Sequence, residues 1–547
     1  MTHPIARCRE PMAFSPPRAD HTTAHPANAG GAWLGLYPAN DFAVGTGARV
    51  DGNTIAPVRW YFESEVIALP RAEMPLATLG RGVPALTDLA GWLARGSHTG
   101  VDSYPPLVWV AAPHIIAQAR IDDRATQLFA ADGSCDMHLA PRLPQNSAFF
   151  DAASAAWFAQ RPVRVRGAVG ADGVVVRMLW PKDFRLPLDA RRMERNEPPM
   201  TPEAIRALVR AEPRGGAAAP FSASLLWHRA TGSYAVPAGR AVIALILNGA
   251  QGDDDEAHGG HFALVTGRTA ADGSIAEWLV NNFYSLDSES EKGIIAAPVP
   301  LDNYLADLNS GQGYYRPSAM LVAVLSVERA AVLLQSALNR MYLQFYRHQV
   351  VYDHAAMNCA GVSVDVLRTL GLTVDKRGPA APIKAALGLP WLLLKQRSVR
   401  KAGAIYDYLT EDQTRLLPAA AFEEIGASLM RLGAGLPRDP ALLPGFLASD
   451  TEAIFFLRFP QFPSLRPLGD APVVTPFEYQ ARLPADPEAA KIIPVAARPF
   501  PADLRDEDVL PPAPRRSERA LKIWAALSVV GWPWLLLRTW REAKAGR

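Results

Sequence analysis

The chain has 547 residues, of which 49% are hydrophobic and 20% are charged, and its formal net charge at pH 7 is +2. This composition allows several folded domains with sizeable cores, and the balanced charge argues against a nucleic-acid-binding protein. The three cysteines, Cys8, Cys135 and Cys359, lie far apart without CxxC spacing, which indicates neither a disulfide framework nor a cysteine zinc site.

The amino terminus is not expected to be a secretory signal peptide. Residues 1–30 are rich in Pro, Ala, His and Thr, show no hydrophobic periodicity and contain no apolar stretch typical of a secretory signal peptide. We predict a disordered tail over these residues and a cytoplasmic location for the protein, and export by another route stays open.

Residues 31–215 are predicted to form a mainly β accessory domain, because short apolar runs alternate with Gly, Pro and Asp. The clearest run, PVRVRGAVGADGVVVRMLW at residues 162–180, predicts a hairpin around Asp172–Gly173. A helix over TPEAIRALVR with Thr201 as its N-cap follows. Three arginines line the polar side of the hairpin and are expected to face solvent: Arg164, Arg166 and Arg177.

The segment over residues 236–286 predicts a buried strand followed by a β-hairpin. RAVIALILNG is typical of a fully buried strand, and HFALVTGRT and IAEWLVNNFY predict a hairpin with Asp272–Gly273 at its tip. A two-residue turn there pairs residues whose numbers sum to 545, so His261 and Asn282 are diagonal neighbours on one face. A slip of one residue would put Asn281 there instead.

Two helices are predicted after a strand at MLVAVL. The first is capped by Ser326 and reaches about Gln349, and the second covers CAGVSVDVLRTL and stops at Gly371. The second helix is expected to be buried because it carries only two charges. Cys359 lies at its first turn, where the helix dipole favours a thiolate. The alternative is a small, inert, buried residue.

Residues 358–362, NCAGV, resemble the Asp-Cys-Ser-Gly-hydrophobic motif that opens the nucleophile helix of NlpC-type papain-like cysteine hydrolases. This chain departs from the motif at Asn358 and Ala360. HFALVTG resembles the histidine strand of the same family. Because the histidine precedes the cysteine, the order resembles that of the permuted members, which include the lecithin retinol acyltransferase-like proteins. The resemblance covers residues 236–375.

The resemblance implies an α+β protein whose central domain, residues 236–375, is permuted papain-like, with an antiparallel sheet and a buried cysteine-bearing helix. It implies Cys359 as nucleophile, His261 as general base and then acid, and Asn282 as the group that orients His261. The substrate would be a peptide amide, including cell-wall peptides, or a lipid ester, and no cofactor is implied. The backbone N–H of Cys359 is the expected first oxyanion donor. Candidates for the second donor are Tyr352, His354 and Asn358.

Two other interpretations remain open. In the first, the papain-like domain is a binding or scaffold module with Cys359 buried and inert. In the second, Asp253–Glu256 together with His258 and His261 bind zinc or manganese. Otherwise the four acidic residues form a solvated loop at the rim of the cleft.

The remainder of the chain divides at residue 515. Residues 376–514 are predicted to be a helical and proline-rich accessory region, and residues 515–547 a membrane-associating helix. Residues 523–537 carry no charge, and the last segment holds eight basic and two acidic residues. We therefore predict attachment to an anionic membrane surface, and the alternative is docking on the protein itself. The pentapeptide PWLLL occurs twice, beginning at Pro390 and at Pro533.

Overall fold

The structure is a computed structural model, and it describes the following parts of the chain: residues 33–46, 48–51, 54–57, 66–79, 82–96, 103–112, 114–140, 150–170, 172–190, 198–211, 220–230, 233–249, 260–284, 296–308, 318–347, 349–350, 352–353, 357–378, 382–397, 399–435, 442–460 and 463. The predicted tail, the acidic loop with His258, His354 and the predicted membrane segment lie outside these residues.

The first part of the chain forms small antiparallel sheets. The elements are β1 (Trp33–Leu34), β2 (Tyr37–Pro38), β3 (Phe42–Thr46), β4 (Ala48–Asp51), β5 (Thr54–Pro57), β6 (Val66–Pro70), α1 (Ala85–Ala94) and β7 (Val108–Ala111). Strands β3, β6 and β7 make a three-stranded sheet, and the other four strands pair as β1–β2 and β4–β5.

A closed five-stranded barrel follows, with the strand order β10-β12-β11-β8-β9. Its elements are β8 (His114–Ile121), β9 (Gln127–Ala130), β10 (Gly133–Leu139), α2 (Ala152–Ala159), β11 (Val163–Gly170) and β12 (Gly173–Pro181). The predicted hairpin at Asp172–Gly173 is confirmed, because Gly170 pairs with Gly173 across β11 and β12. Gly173 has a φ of +118°, and a Cβ there would collide with the carbonyl oxygen of Asp136.

The rest of the described chain builds one large sheet, one two-stranded sheet and several helices. The elements are β13 (Asp189–Ala190), α3 (Pro202–Val209), β14 (Ser222–His228), β15 (Tyr234–Ala235), β16 (Ala241–Asn248), β17 (His261–Arg268), β18 (Leu279–Asn282), β19 (Ala297–Pro300), α4 (Leu301–Ala306), β20 (Ser318–Leu325), α5 (Arg329–Tyr346), α6 (Cys359–Thr369), α7 (Pro382–Gln396), α8 (Val399–Thr410), α9 (Gln413–Leu416), α10 (Pro418–Gly433), α11 (Leu442–Asp450) and β21 (Thr451–Phe459).

The sheet has seven antiparallel strands in the order β14-β21-β20-β16-β17-β18-β19. Strands β16 and β20 are buried at every position, as their uninterrupted apolar runs predict. The sheet extends beyond residues 236–375, since β14 precedes that span and β21 follows it. The protein is therefore a mixed α+β protein, and the predicted boundary at residue 376 separates strands of one sheet.

Helices α5 and α10 cover one face of this sheet. Thr266 of β17 donates a hydrogen bond to Gln335 of α5 (2.5 Å), and a side chain at Gly426 of α10 would contact Leu321 of β20. Leu321 and Leu264 pair with the same residue of β16, so both point to this face. Helix α6 packs against β17 and against both covering helices.

The barrel and α4 cover the opposite face. Helix α4 packs against β12, and the rings of Trp180 in β12 and Phe459 in β21 have centroids 6.3 Å apart. Residues Met178 and Asp307 form an isolated bridge between the barrel and the end of α4. The barrel is therefore joined to the end of α4 by backbone pairing and to the sheet by apolar contact.

The arginines of β11 lie in this joint, so the prediction that they face solvent is wrong. Arg164 and Arg166 are buried, and their Nε atoms donate to Asp302 of α4 at 2.9 and 2.7 Å. Both guanidinium groups also bind Glu277. Burial alone would lower the pKa of Arg166, but the two carboxylates raise it above its ordinary value. The alternation of arginine and apolar residues along β11 predicts the polar face of the strand correctly, but α4 and the segment before β18 cover that face.

The third arginine of the hairpin, Arg177, also has a carboxylate partner. Its Nε lies 3.1 Å from Asp307, and its guanidinium carbon lies 5.3 Å from the centroid of the Trp109 ring. It is therefore held between the barrel, the end of α4 and β7 instead of lying on a solvated strand face.

The predicted N-cap is confirmed for α3 and is wrong for α5. Thr201 caps α3 as predicted, since its hydroxyl accepts from the backbone N–H of Ala204 (3.2 Å). Ser326 does not cap α5, which begins at Arg329 without a side-chain cap. The hydroxyl of Ser326 instead donates to the backbone carbonyl of Asp450 (3.1 Å), because α11 ends beside the start of α5. None of the described helices is both long and apolar enough to cross a bilayer.

We expect Asp302→Asn to lower the free energy of unfolding by about 3–5 kcal/mol, because it leaves Arg164 and Arg166 buried with a single carboxylate. Asp183→Asn is the matched control, since Asp183 pairs with Arg161 (3.2 Å) while its side chain is 54% exposed, and such pairs contribute about 0–1 kcal/mol. Urea denaturation of both variants measures the difference. Equal losses would contradict a structural role for the buried cluster.

Candidate active site at the start of helix α6

Asn358 fixes the start of α6. Its side-chain oxygen accepts a hydrogen bond from the backbone N–H of Gly361 (2.9 Å), and its side-chain nitrogen donates to the carbonyl of Leu416 (2.8 Å). Asn358 itself is extended, so Cys359 becomes the first helical residue, as predicted. The helix ends at Thr369, and Gly371 follows with a φ of +89°, which confirms the predicted stop.

Hydrogen-bond donors surround the thiol of Cys359. The sulfur lies within hydrogen-bonding reach of the backbone N–H groups of Phe262 and Ala360, and of the side chain of Tyr352. These groups lower the pKa of the thiol, but burial raises it by more, and the net pKa lies above the ordinary value of 9.0. Only 3% of Cys359 is exposed. The expectation of a thiolate favoured by the helix terminus is therefore wrong for this structure, because desolvation outweighs the donors.

The pairing of β17 with β18 has the predicted register. Leu264 pairs with Asn281 and Val265 pairs with Val280, so partner numbers sum to 545. The strands themselves are shorter than predicted, since β18 begins only at Leu279 and Ser274 bridges to Arg185 of the barrel region. The predicted register thus holds although the arms of the hairpin separate before its tip.

The register puts the two neighbouring asparagines on opposite faces. Asn281 faces α5, where its side-chain nitrogen donates to the carbonyl of Leu264 (3.2 Å) and to Gln335 (3.0 Å), and its oxygen accepts from Gln335 (2.8 Å). Asn282 is buried and by alternation points to the same face as His261. The alternative in which a slip substitutes Asn281 does not occur.

His261 is the buried first residue of β17. It pairs with Asn248 at the end of β16, and the ring of Tyr304 in α4 lies with its centroid 6.4 Å from the imidazole centroid. The Tyr304 hydroxyl donates to Asn248 (2.5 Å), and Asn248 donates to Ser318 (2.8 Å). A polar cluster therefore borders His261 on the face covered by α4.

The three predicted site residues lie at the same end of β17. The sulfur of Cys359 contacts the backbone of Phe262, which follows His261 directly. Asn282 ends β18, next to the strand that His261 begins. By alternation the imidazole points to the face covered by α4, whereas α6 packs with the helices of the other face. The structure thus brings the cysteine to the strand end that carries His261, and sulfur and imidazole approach it from different faces.

The predicted candidates for a second oxyanion donor are now distinguished. Tyr352 contacts the thiol, and its ring lies 5.3 Å from that of Tyr284. Asn358 is committed to capping α6 and to Leu416. His354 lies outside the described residues. Of the two candidates that the structure describes, Tyr352 is therefore the one that lies at the thiol.

Sequence reasoning missed three contributors to this site. No sequence pattern marks the backbone N–H of Phe262 as a donor to the sulfur. Phe262 lies in β17 before Leu264–Thr266, the residues that pair with β18, and it is there that its N–H reaches the sulfur. Tyr304 is brought in by α4, whose position depends on contacts with the barrel. Asn248 did carry a signal, since it is a polar residue closing a fully buried strand.

No three His, Cys, Asp or Glu side chains within the described parts of the chain are arranged to hold a metal ion. The acidic residues of the predicted metal site, Asp253–Glu256, and His258 lie outside those parts, so the metal interpretation stays a prediction.

Comparison of the chain with protein-family models, with curated proteins and with solved structures gives no match.

Proposed function

We propose that this protein is a papain-like cysteine hydrolase in which Cys359 attacks the carbonyl carbon of an amide or ester. The observation that carries the proposal is the setting of the thiol. Cys359 opens a buried helix against an antiparallel sheet, and backbone N–H groups from the helix and from β17 converge on its sulfur. His261, the proposed base, begins the same strand. This arrangement supports a permuted papain-like domain of the kind that the motif resemblance implies.

The raised pKa of Cys359 determines how the first step would proceed. The raised pKa of the thiol means that its proton must leave as the sulfur attacks. In this proposal the imidazole of His261 accepts that proton, which requires sulfur and imidazole to meet at the strand end that they approach from different faces. The tetrahedral intermediate then collapses. Its leaving amine or alcohol takes the proton from the imidazolium, and an acyl-thioester remains on Cys359. Water, activated by His261, attacks the thioester and releases the acid and the free thiol.

Negative charge on the carbonyl oxygen would be stabilised by donors already at the sulfur. The backbone N–H of Cys359 lies at the amino terminus of α6, where the dipole favours negative charge, and the Tyr352 hydroxyl adds a side-chain donor. Asn282 orients His261 in this proposal, because it lies on the same face of the sheet.

The substrate classes are peptide amides, including cell-wall peptides, and lipid esters. We further propose that residues 515–547 attach the protein to an anionic membrane.

The burial of Cys359 favours a second candidate function. A thiol that is 3% exposed with a raised pKa has the properties of a structural cysteine. In that case the papain-like domain would be a binding or scaffold module. Covalent capture of an acyl group on Cys359 distinguishes the two candidates.

We expect p-nitrophenyl acetate and p-nitrophenyl octanoate to acylate Cys359, seen as release of nitrophenolate and as the acyl mass on the Cys359 peptide. Cys359→Ala should abolish this acylation, and His261→Ala should slow it by roughly a hundredfold to ten-thousandfold, the usual contribution of a general base. His138→Ala is the control, because His138 is an exposed histidine of the barrel. Acylation of Cys135 instead, or equal rates in the two histidine variants, would favour the scaffold function.

We expect iodoacetamide to alkylate Cys359 slowly at neutral pH and faster as the pH passes 9. Its pKa in the folded protein lies above 9.0, so the neutral thiol persists below that pH and the reactive thiolate forms only above it. The half-buried Cys135 provides an internal comparison in the same digest. Fast, pH-independent alkylation of Cys359 at pH 6 would instead indicate a resting thiolate–imidazolium pair.

The neighbouring asparagines offer a matched pair of variants. We expect Asn281→Ala to lower the free energy of unfolding by about 1–3 kcal/mol, because it removes two hydrogen bonds of the buried Gln335 amide, and to keep the acylation rate of the folded protein. Asn282→Ala should lower that rate by about tenfold or more and shift its pH profile, because His261 loses its orienting group. Urea denaturation and nitrophenolate release measure the two effects. The proposed role of Asn282 fails if only stability responds.

A further inference from the structure

Helices α7 and α8 form a helical pair with an unusually apolar outer face. The two helices pack against each other, and Leu389 of α7 and Ala402 of α8 are buried. Trp391 and Leu394 of α7 are 57% and 78% exposed. They are the two most exposed large hydrophobic side chains of the described residues. Because an α-helix advances by about 100° per residue, both lie more than about 130° around α7 from Leu389.

A basic side chain lies at this outer face. Lys395 lies with its ammonium nitrogen 4.7 Å from the centroid of the Trp391 ring, and both Lys395 and Arg397 are exposed. Residues 382–410 contain five basic residues and one acidic residue, so this stretch carries 5 − 1 = +4. An exposed Trp and Leu beside cationic side chains have the composition of an element that lies in the headgroup region of a bilayer.

We propose that the outer face of α7, defined by Trp391, Leu394 and Lys395, docks on the surface of an anionic lipid bilayer. The rings and methyl groups enter the boundary between headgroups and acyl chains. Lys395 and Arg397 stay among the anionic headgroups, since long basic side chains keep their charge in water while their stems contact apolar surface. The 15 residues of α7 fit a helix that lies on the membrane better than one that spans it.

Two observations favour a bilayer over a protein partner. Lysine is depleted from the centre of protein interfaces, whereas Lys395 lies against the ring of Trp391 on this face. The sequence PWLLL of α7 also recurs at residues 533–537, and each copy is followed directly by a basic residue, Lys395 or Arg538. The chain thus repeats the same apolar and cationic pattern in the segment whose composition independently predicts membrane attachment.

The test is hydroxyl-radical footprinting of the full chain, read residue by residue by mass spectrometry. Vesicles of phosphatidylcholine with phosphatidylglycerol should slow oxidation of Trp391 and Leu394 by about threefold or more, because the bilayer excludes water from both side chains. Vesicles of phosphatidylcholine alone should protect them less, because the electrostatic attraction is absent. The tryptophans of residues 515–547 are read in the same experiment, so docking through that segment is recorded separately.

Replacing both exposed residues, Trp391→Ser with Leu394→Ser, should weaken vesicle binding by about tenfold or more. Phe129→Ser is the matched control, because Phe129 is an exposed hydrophobic residue of the barrel, at 46%, and binding should not change. The rate of p-nitrophenyl acetate turnover should stay the same in all variants, so this test is independent of the proposed hydrolase function. Oxidation that is unaffected by vesicles would overturn the proposal. Protection that rises with protein concentration without lipid would overturn it in favour of a second copy of the chain.

Discussion

The register between β17 and β18 is the constraint on which the composition of the candidate site depends. Side chains alternate between the two faces of a strand, so a shift of one residue would exchange the β18 side chain that lies on the face of His261. In the observed register Asn281 is bound by Gln335 on the face of α5, and Asn282 shares the face of His261. The amides of Asn281 and Gln335 exchange hydrogen bonds in both directions, and a slipped strand would leave these buried groups unsatisfied. The same network that stabilises one face therefore selects the residues that the other face presents.

The buried ion pairs extend this control to the opposite side of the sheet. Asp302 binds Arg164 and Arg166 of the barrel, and Tyr304 follows two residues later on the same short helix. Removing charges from water is costly, so a cluster of this kind tolerates few alternative arrangements of its partners. Its effect here is to fix α4 against the sheet, where the hydroxyl of Tyr304 reaches Asn248 beside His261. The barrel thus contributes to the surroundings of the proposed base without containing any predicted site residue.

Features set by neighbouring residues could be predicted from the sequence, and features set by distant contacts could not. The buried strands, the hairpin of β11 and β12, the register of β17 with β18 and both ends of α6 follow from local patterns of hydrophobic and turn residues. The sequence predicts Ser326 as a cap because nothing local reveals that Asp450 is its partner. The pairing of β21 with β20 joins strands more than a hundred residues apart, and no local pattern encodes it. The pKa of Cys359 was predicted in the wrong direction for the same reason, since the helix terminus is visible in the sequence and the depth of burial is not.

A buried neutral thiol and a nucleophilic role are compatible because the same donors can serve two acceptors in turn. Sulfur is a weak hydrogen-bond acceptor, so the N–H groups and the Tyr352 hydroxyl around Cys359 gain little from it in the resting protein. A carbonyl oxygen that develops negative charge beside the sulfur is a much stronger acceptor. Donors that are fixed in place and poorly used before the reaction provide stabilisation only when charge appears, which is the condition for accelerating a chemical step. Burial raises the pKa of the thiol in spite of these donors, and in the proposed function the donors act on the charge of the substrate oxygen instead of the charge on the sulfur.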